Sequence, residues 1–203
     1  MRKVIVNEFL TLDGVMQAPG GADEDRDGGF EHGGWQMQYL EDVAQESIVE
    51  GMADAGGFLL GRRTYEIFAG YWPTAPEEEA VVAGPLNSLP KYVASTTLTD
   101  PLEWQNSTVL EGDVAEAVTA LKVEPGKDLH VIGSGELVQT LMHHDLVDEY
   151  RLMINPIVVG RGKHLFRDDG DYKQLRLVDS TISSMGVVIA TYAPAGLEVR
   201  EEQ

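Results

Sequence analysis

Hydrophobic residues along the chain follow two spacings, and each predicts one kind of element. Short runs rich in Val, Ile and Leu indicate buried strands, whereas apolar residues three or four positions apart indicate helices. Strands are predicted at 3–10, 58–60, 91–94, 108–110, 129–132, 149–154, 175–183 and 187–192. Helices are predicted at 37–52, from 65 onwards, at 77–89 with an interruption at Gly84-Pro85, at 113–121 with Asp113 as its cap, and after Gly135.

The order of these elements predicts the fold class. Strands that alternate with helices favour an α/β domain of three layers, α/β/α, around a mostly parallel sheet. The last two strands are joined through Met185-Gly186 and form an antiparallel hairpin, so the central sheet is expected to be mixed. Neither a linker nor an internal repeat divides the sequence, and we expect one domain over residues 1–203.

Four polar turns follow predicted strands, at 11–14, 61–64, 95–97 and 133–135. In open α/β sheets ligands bind outside the carboxyl ends of the strands, which is where these turns belong. The sequence therefore predicts a ligand site formed by the four turns together.

The stretch 128–141, DLHVIGSGELVQTL, is the centre of this prediction. A strand enters a glycine-rich turn that opens a helix, and the free N–H groups of a helix start attract anions. The dinucleotide fingerprint has a third glycine where Val138 stands. Taken alone, the stretch fits either a phosphate site or a tight connection without a ligand.

The polar segment 16–34 is predicted to be a long loop, which in a compact domain is usually functional or disordered. Its residues Asp23, Asp25 and Asp27 are spaced like the start of a calcium-binding loop. The twelfth position, which should be a bidentate glutamate, is Gly34. We therefore expect a solvated acidic loop.

Composition excludes several classes of function. The formal net charge is −19 and the pI about 4.4, which argues against nucleic acid or anionic membranes as partners. The chain has no cysteine, and its five histidines show no metal-ligand spacing, so no metal site is expected. No stretch has transmembrane length, and a cytoplasmic location is the simplest expectation.

Two basic clusters stand out in so acidic a chain. Arg62 and Arg63 lie at a helix start, where their positive charge interacts unfavourably with the helix dipole. A bound anion would offset this repulsion, so the position of the two arginines favours an anion site. Arg161, Lys163 and His164 form the second cluster, which fits either steering of an anionic substrate or a contact between two copies of the chain.

Five motifs resemble the dihydrofolate reductase superfold, and more closely the reductase domain of bacterial bifunctional riboflavin-biosynthesis proteins (the RibD C-terminal domain) and its stand-alone relatives. They are TLDG at 11–14, GRRTYE at 61–66, YVASTT at 92–97, VIGSGEL at 131–137 and LVDEYRLMINPIVVGRGKHLF at 146–166. The resemblance spans about residues 3–193, and its last motif is the most specific.

The resemblance implies NADPH as the cofactor, laid across the sheet. The turn 133–135 would bind the pyrophosphate, Arg62 or Arg63 the 2′-phosphate, and Ser95 with Thr96 the adenosine side. The implied cofactor-binding residues are Thr11, Gly14, Gly61, Arg62, Arg63, Thr64, Ser95, Thr96, Ile132, Gly133, Ser134, Gly135, Glu136 and Leu137. Asp13 is the expected catalytic residue, and Trp35, Phe68 and Trp72 are the expected substrate-binding residues.

The resemblance leaves the substrate open. Riboflavin reductases carry a substrate-binding glutamate just before the late glycine turn, where Ile132 and Gly133 stand here, and folate-reducing enzymes carry an acidic residue on the first helix that has no clean match. We therefore predict an NADPH-dependent reductase of a small heterocycle, either a phosphoribosylaminouracil or a pterin type, working as a homodimer. The alternative is a nucleotide-binding regulatory protein without catalysis.

Overall fold

The computed structural model describes residues 1–196 apart from the side chain of residue 42; in this part of the chain eight strands form one sheet and helices cover both of its faces. The strands are β1 Val4–Thr11, β2 Gly57–Gly61, β3 Lys91–Ala94, β4 Ser107–Val109, β5 Leu129–Ile132, β6 Glu149–Asn155, β7 Leu175–Ile182 and β8 Val188–Pro194. The α-helices are α1 Asp42–Asp54, α2 Arg62–Ala69, α3 Ala80–Ser88, α4 Val114–Val123 and α5 Gly135–His143. None of the helices within residues 1–196 is long and apolar enough to cross a bilayer.

The sheet has the strand order β4-β3-β2-β5-β1-β6-β8-β7. The first six strands are parallel, while β8 runs antiparallel to both of its neighbours, β6 and β7. The predicted α/β class and the C-terminal antiparallel hairpin are thus confirmed. The predicted Asp113 cap is confirmed too, since its carboxylate accepts a hydrogen bond from the Glu116 N–H at 3.0 Å.

Alternating side chains of the strands supply two cores, one on each face of the sheet. In β2, Leu59 packs into the core under α4 and α5, whereas Phe58 and Leu60 pack on the opposite side with residues of α2 and α3. All three side chains are fully buried. Burial on both faces explains why these strands read as continuous apolar runs in the sequence.

The sheet is split at its centre. β1 pairs with β5 only as far as Asn7, opposite Ile132, but it pairs with β6 as far as Thr11, opposite Asn155. The last four residues of β1 therefore have no partner on the β5 side. This split opens the floor of the cleft described below.

The first predicted helix, 37–52, starts later than expected. A short 3₁₀ turn at Met37–Tyr39 comes first, and α1 begins only at Asp42. Glu41 is extended, and its carboxylate accepts hydrogen bonds from the Ser184 hydroxyl at 2.7 Å and the Met185 N–H at 2.8 Å. This contact with the C-terminal hairpin fixes the extended residue and overrides the helical pattern.

The interruption predicted at Gly84-Pro85 is wrong, because α3 continues through both residues to Ser88. Pro85 lies in the second turn of a short helix. The carbonyl that it leaves without an N–H donor belongs to Val81, which is exposed, so water can take the place of the missing donor.

The hairpin partner β7 forms the outer edge of the sheet. Most of its residues are exposed, including Leu177 at 54 % and Ile182 at 69 %. A long edge strand with unpaired backbone groups and apolar side chains is a template for pairing with another strand.

Candidate cofactor and substrate site

A cleft of about 1710 Å³ lies at the carboxyl ends of β3, β2 and β5 and beside residues 7–9 of β1. Pockets for one small molecule usually measure about 300–1,000 Å³, so this cleft has room for a dinucleotide and a second, smaller ligand. It brings together nearly all of the predicted cofactor residues. Those lining it are Gly61, Arg62, Arg63, Thr64, Ser95, Thr96, Ile132, Gly133, Ser134, Gly135, Glu136 and Leu137.

Hydrogen bonds join the turns after β2 and β5 into one unit. The Ser134 N–H donates to Thr64 Oγ1 at 2.9 Å, and Ser134 Oγ accepts from the Gly61 N–H at 2.9 Å. Gly133 has a φ of +57°, and a Cβ there would lie 3.1 Å from Thr64 Oγ1, so glycine is required for this close approach. The two turns are neighbours because β2 and β5 are neighbours.

The start of α5 fits an anionic group. Its N-cap, Ser134, gives no side-chain cap, and the first backbone hydrogen bond of the helix runs from the Val138 N–H to the Ser134 carbonyl. The three preceding N–H groups, those of 135–137, are therefore left to bind a ligand. With the positive end of the helix dipole, they fit the pyrophosphate that the sequence predicts here.

The two arginines of α2 have different partners. Arg62 forms an i,i+4 pair with Glu66 at 3.0 Å, and both side chains are almost half exposed. Arg63 donates through Nε and Nη2 to Asp25, whose side chain is only 9 % exposed. Arg62 is free to turn toward a phosphate because exposed pairs contribute little stability, whereas Arg63 is held in place.

The acidic loop is folded, contrary to the prediction of a solvated segment at Asp25. This carboxylate also accepts from Lys163 Nζ at 2.9 Å, and Gln17 Nε2 donates to the backbone carbonyls of Asp25 and Asp27 at 3.1 and 3.0 Å. Burial opposes ionisation of Asp25, but the hydrogen bonds from Arg63 and Lys163 outweigh it and lower the pKa of the carboxyl. The loop therefore forms a fixed wall of the cleft.

The turn after β1 lies outside the cleft, against expectation. Because β1 continues four residues beyond its pairing with β5, this turn lies about 13 Å further along the strand direction. Thr11 is buried, and neither it nor Asp13 nor Gly14 lines the cleft.

Asp13, the predicted catalytic residue, is engaged elsewhere. Its carboxylate accepts from Thr11 Oγ1 at 2.6 Å and from the N–H groups of Gly160 and Val159 at 2.7 and 3.3 Å. Desolvation works against ionisation, but these hydrogen bonds prevail and lower the pKa of Asp13. An ionised carboxylate that anchors a loop cannot donate a proton to a substrate in the cleft.

The three predicted substrate residues separate into two groups. Phe68 and Trp72 line the cleft, with ring centroids 6.0 Å apart in an edge-to-face arrangement. Trp35 is buried behind the loop, where its indole N–H donates to the Gln17 carbonyl at 2.8 Å, and it does not line the cleft.

The groove that extends the cleft beneath α1 was not predicted from the sequence. Its walls are apolar residues of the helix and of β1, β6 and β8, with a few polar groups between them. The residues that line this groove include Asn7, Phe9, Leu40, Ile48, Met52, His130, Arg151, Met153 and Ile189. The signal that could have revealed it is the presence of Asn, Glu and His inside otherwise apolar strands.

Glu8 also lies in the cleft wall and was not predicted from the sequence. It is 4 % exposed, and its Oε1 atom is buried without a hydrogen-bond partner within residues 1–196. Burial raises the pKa of this carboxyl well above its usual value. A perturbed carboxyl in a cleft is a candidate functional group.

The Glu8→Gln variant is expected to become more stable than the wild type as pH rises. When the pKa of a carboxyl is higher in the folded than in the unfolded protein, the protonated carboxyl contributes stability. This contribution is fully present below the unfolded-state pKa and is lost as pH rises toward the folded-state pKa. Between pH 5 and pH 8, the free energy of unfolding of the variant is expected to rise by about 1–3 kcal/mol relative to that of the wild type. Urea unfolding at both pH values measures this, with the exposed Glu50→Gln as control; a difference that stays constant with pH would refute it.

The remaining charged residues do not assemble a metal site. Among residues 1–196 no group of three or more His, Asp or Glu side chains is placed to hold a metal ion.

Of the second basic cluster, Lys163 and His164 line the cleft, and Lys163 is paired with Asp25 and Asp27. Arg161 is paired with Glu31 at 3.7 Å.

These features define a dihydrofolate reductase-like domain. They are the split in the parallel part of the sheet, the hydrogen-bonded turns after β2 and β5, and the terminal hairpin. The model of one family, the RibD C-terminal domain, matches residues 2–189. The chain therefore belongs to the RibD C-terminal domain family.

Individual relatives agree with this assignment. The uncharacterized protein YyaP of Bacillus subtilis (strain 168) is 31 % identical over 198 residues, which cover 94 % of each chain. A putative riboflavin biosynthesis protein from Shewanella sp. PV-4 superposes with a TM-score of 0.68 at 19 % identity, over 95 % of this chain and 99 % of that one. A pyrimidine reductase-like protein from Corynebacterium diphtheriae gives 0.64 at 12 % identity, over 96 % and 92 %. These two structures support the fold.

Proposed function

We propose that the protein is an NADPH-dependent reductase that transfers hydride to a C=N or C=O group of a small heterocycle. The observation that carries this proposal is the continuity of the cleft. An anion-binding unit, built from the turns of β2 and β5, opens directly into an apolar groove with space for a second ligand. Membership of the RibD C-terminal family supports a reductase role.

The residues present fit the cofactor in the order of the strands. Ser95 and Thr96 would hold the adenosine, Arg62 the 2′-phosphate, and the turn at 133–135 with the start of α5 the pyrophosphate. In this arrangement the reactive end of NADPH would lie at the split between β5 and β1. Bound there, NADPH supplies the hydride, and the protein positions it and excludes water.

The groove beneath α1 is the proposed substrate site. Phe9, Leu40, Ile48 and Met153 are apolar residues that line it, and they belong to one apolar cluster. Such walls suit a flat ring and keep water from the reacting atoms.

Reduction of a C=N or C=O bond also needs a proton. Asp13, which is ionised and lies outside the cleft, is replaced in this proposal by Glu8. Glu8 is a residue of the cleft wall, and burial of its carboxyl raises the pKa and so favours the neutral form, which can donate a proton.

The open groove favours the reductase over the alternative of a regulatory nucleotide-binding protein. A protein that only binds the dinucleotide has no need of a second compartment beside the reactive end, and a closed or filled groove would be expected there. The cleft volume of about 1710 Å³ and its apolar extension support the reductase.

Titration with NADPH and, separately, with NADH tests the proposal. Trp72 lines the cleft, so its fluorescence should report binding, and calorimetry gives the Kd independently. We expect NADPH to bind at least about ten-fold more tightly than NADH, a difference of about 1.4 kcal/mol. Oxidation of bound NADPH on addition of pyrimidine or pterin acceptors then tests catalysis. Binding of neither dinucleotide would end the reductase proposal.

A further inference from the structure

The start of α5, where the proposed pyrophosphate site lies, also carries a carboxylate. Glu136 is in the first turn of the helix and lines the cleft, and its side chain is 90 % exposed. A carboxylate at this place interacts favourably with the helix dipole. A pyrophosphate that binds the N–H groups of residues 135–137 would bring more negative charge to the same helix turn, and the two anions would repel each other. Cofactor binding therefore calls for a cation that offsets Glu136.

The cations that line the cleft differ in what they already hold. Lys163 Nζ lies 2.9 Å from both Asp25 and Asp27, so it is committed to the acidic loop. Arg167 is paired with the start of α5 through Glu136. Within residues 1–196, the Arg and Lys residues that line the cleft are Arg62, Arg63, Arg151, Lys163 and Arg167.

The guanidinium of Arg167 is held at one end and exchangeable at the other. Its Nε and Nη2 atoms donate to the two carboxylate oxygens of Asp169, each at 2.9 Å. This fork fixes the plane of the guanidinium. Nη1 is the other end, and it donates to Glu136 Oε1 at 2.8 Å and to Oε2 at 3.0 Å. The geometry thus directs a pair of N–H groups at the helix start.

The backbone that carries Arg167 is fixed against α5. Leu165, two residues earlier, is fully buried, and its carbonyl accepts a hydrogen bond from Gln139 Nε2 of α5. The Gly170 N–H donates to the Arg167 carbonyl at 3.1 Å and closes a turn beside the same glutamine. Only the side chain of Arg167 therefore has to move when it exchanges one partner for another.

The pair between Arg167 and Glu136 is suited to such an exchange. Exposed ion pairs are weak because water and salt screen them, and the Glu136 side chain is almost fully exposed. A phosphate group accepts hydrogen bonds from an arginine more strongly than an exposed carboxylate does, since its oxygens match the planar fork. A phosphate oxygen at the start of α5 is therefore a stronger partner for Nη1 than Glu136 is.

We propose that Arg167 is a ligand of the cofactor's pyrophosphate, and that Glu136 is the carboxylate that releases Nη1 when the cofactor binds. Asp169 is the positioning residue that keeps the guanidinium directed at the helix start. This inference rests on the proposed function, since it assigns the start of α5 to the pyrophosphate.

Calorimetric titration of the variants with NADPH and with NADH tests the contact. We expect Arg167→Ala to weaken both dinucleotides by a similar factor of about ten, because both carry the pyrophosphate. This equal loss separates Arg167 from Arg62, whose proposed partner, the 2′-phosphate, is present in NADPH alone. Arg176→Ala is the control, because it removes the same charge from exposed β7 outside the cleft and should change either affinity by less than about two-fold.

A double-mutant cycle with Glu136→Gln separates a direct contact from simple neutralisation of the carboxylate. Alone, Glu136→Gln should tighten both dinucleotides about two- to five-fold, because Nη1 no longer has to leave a carboxylate. Added to Glu136→Gln, the change Arg167→Ala should still weaken binding by about ten-fold or more. If Arg167 only neutralised Glu136, its loss would have no effect in that background, and this outcome would overturn the proposal.

A second substitution guards against a loss of affinity that comes from disturbed folding. Arg167→Lys keeps the charge but not the fork, and we expect it to recover only part of the affinity lost in Arg167→Ala. The melting temperature of each variant reports its stability separately from binding. A residue needed only for stability would not give affinities that depend on the charge of Glu136.

The two proposals fail in different ways. If neither dinucleotide binds to the wild-type protein, the reductase proposal fails and the role of Arg167 fails with it. If NADPH binds to the wild type and Arg167→Ala leaves both affinities within about two-fold, the reductase proposal stands and the role of Arg167 is refuted.

Discussion

Replacing Arg62 by alanine is expected to weaken NADPH binding about 10- to 100-fold and to change NADH binding by less than about two-fold. Hydrogen bonds between arginine and a phosphate contribute about 1.5–3 kcal/mol, and only NADPH carries the 2′-phosphate. Arg62 is free for this role because its pair with Glu66 is half exposed and easily exchanged. Calorimetric titration of both dinucleotides measures the change.

Arg63→Ala is the matched control, one residue away on the same helix. Arg63 is held by Asp25, so its loss frees the loop wall and should weaken both dinucleotides to a similar extent. It should also lower the free energy of unfolding by about 1–2 kcal/mol, a value discounted because the arginine itself is half exposed. An equal loss of NADPH and NADH binding in Arg62→Ala would refute the 2′-phosphate assignment.

The second large effect is expected on stability, from Gly56→Ala. Gly56 precedes β2, and its N–H donates to the Asp128 carbonyl at 2.8 Å. An added Cβ would lie 2.4 Å from the carbonyl oxygen and 2.6 Å from the carbonyl carbon of Lys127. These are backbone atoms of the segment that leads into β5, and they cannot rotate away as a side chain would.

We expect Gly56→Ala to lose about 3 kcal/mol or more of stability, which for a chain of this size lowers Tm by roughly 6–12 °C. Gly84→Ala is the control with the same chemical change. Gly84 lies inside α3 with nothing within 4 Å of an added Cβ, and alanine should stabilise the helix there by about 0.5–1 kcal/mol. Equal melting temperatures of the two variants would show that the Lys127 backbone can move aside.

The strands and the turns that follow them were predictable from the sequence for one physical reason. Strands buried on both faces must be continuous apolar runs, and the glycines at 133 and 135 mark where such a run ends and a helix starts. Because β2 and β5 are parallel neighbours, their turns had to meet at one edge of the sheet.

Relative strand lengths could not be predicted, and they decide which residues reach the cleft. Asp13 follows β1 just as Ser134 follows β5, but the extra four residues of β1 carry it past the cleft to the 159–160 segment. The sequence did not identify Asn7 and Glu8 for a related reason. A polar residue inside an apolar run can be assigned to a site only when the neighbouring strand is known to end beside it. The turns to which the resemblance assigns the phosphates line the cleft, whereas Asp13 and Trp35, to which it assigns catalysis and substrate binding, do not.

The bare outer strand β7 has a consequence for how the protein behaves on dilution. We propose that a second copy of the chain covers this edge, where Leu177, Val178 and Ile182 are each more than half exposed. Burying those side chains between two copies would couple association to folding. By mass action, the melting temperature would then rise with protein concentration, and the protein in a dilute assay would be less stable than the same protein in a concentrated stock.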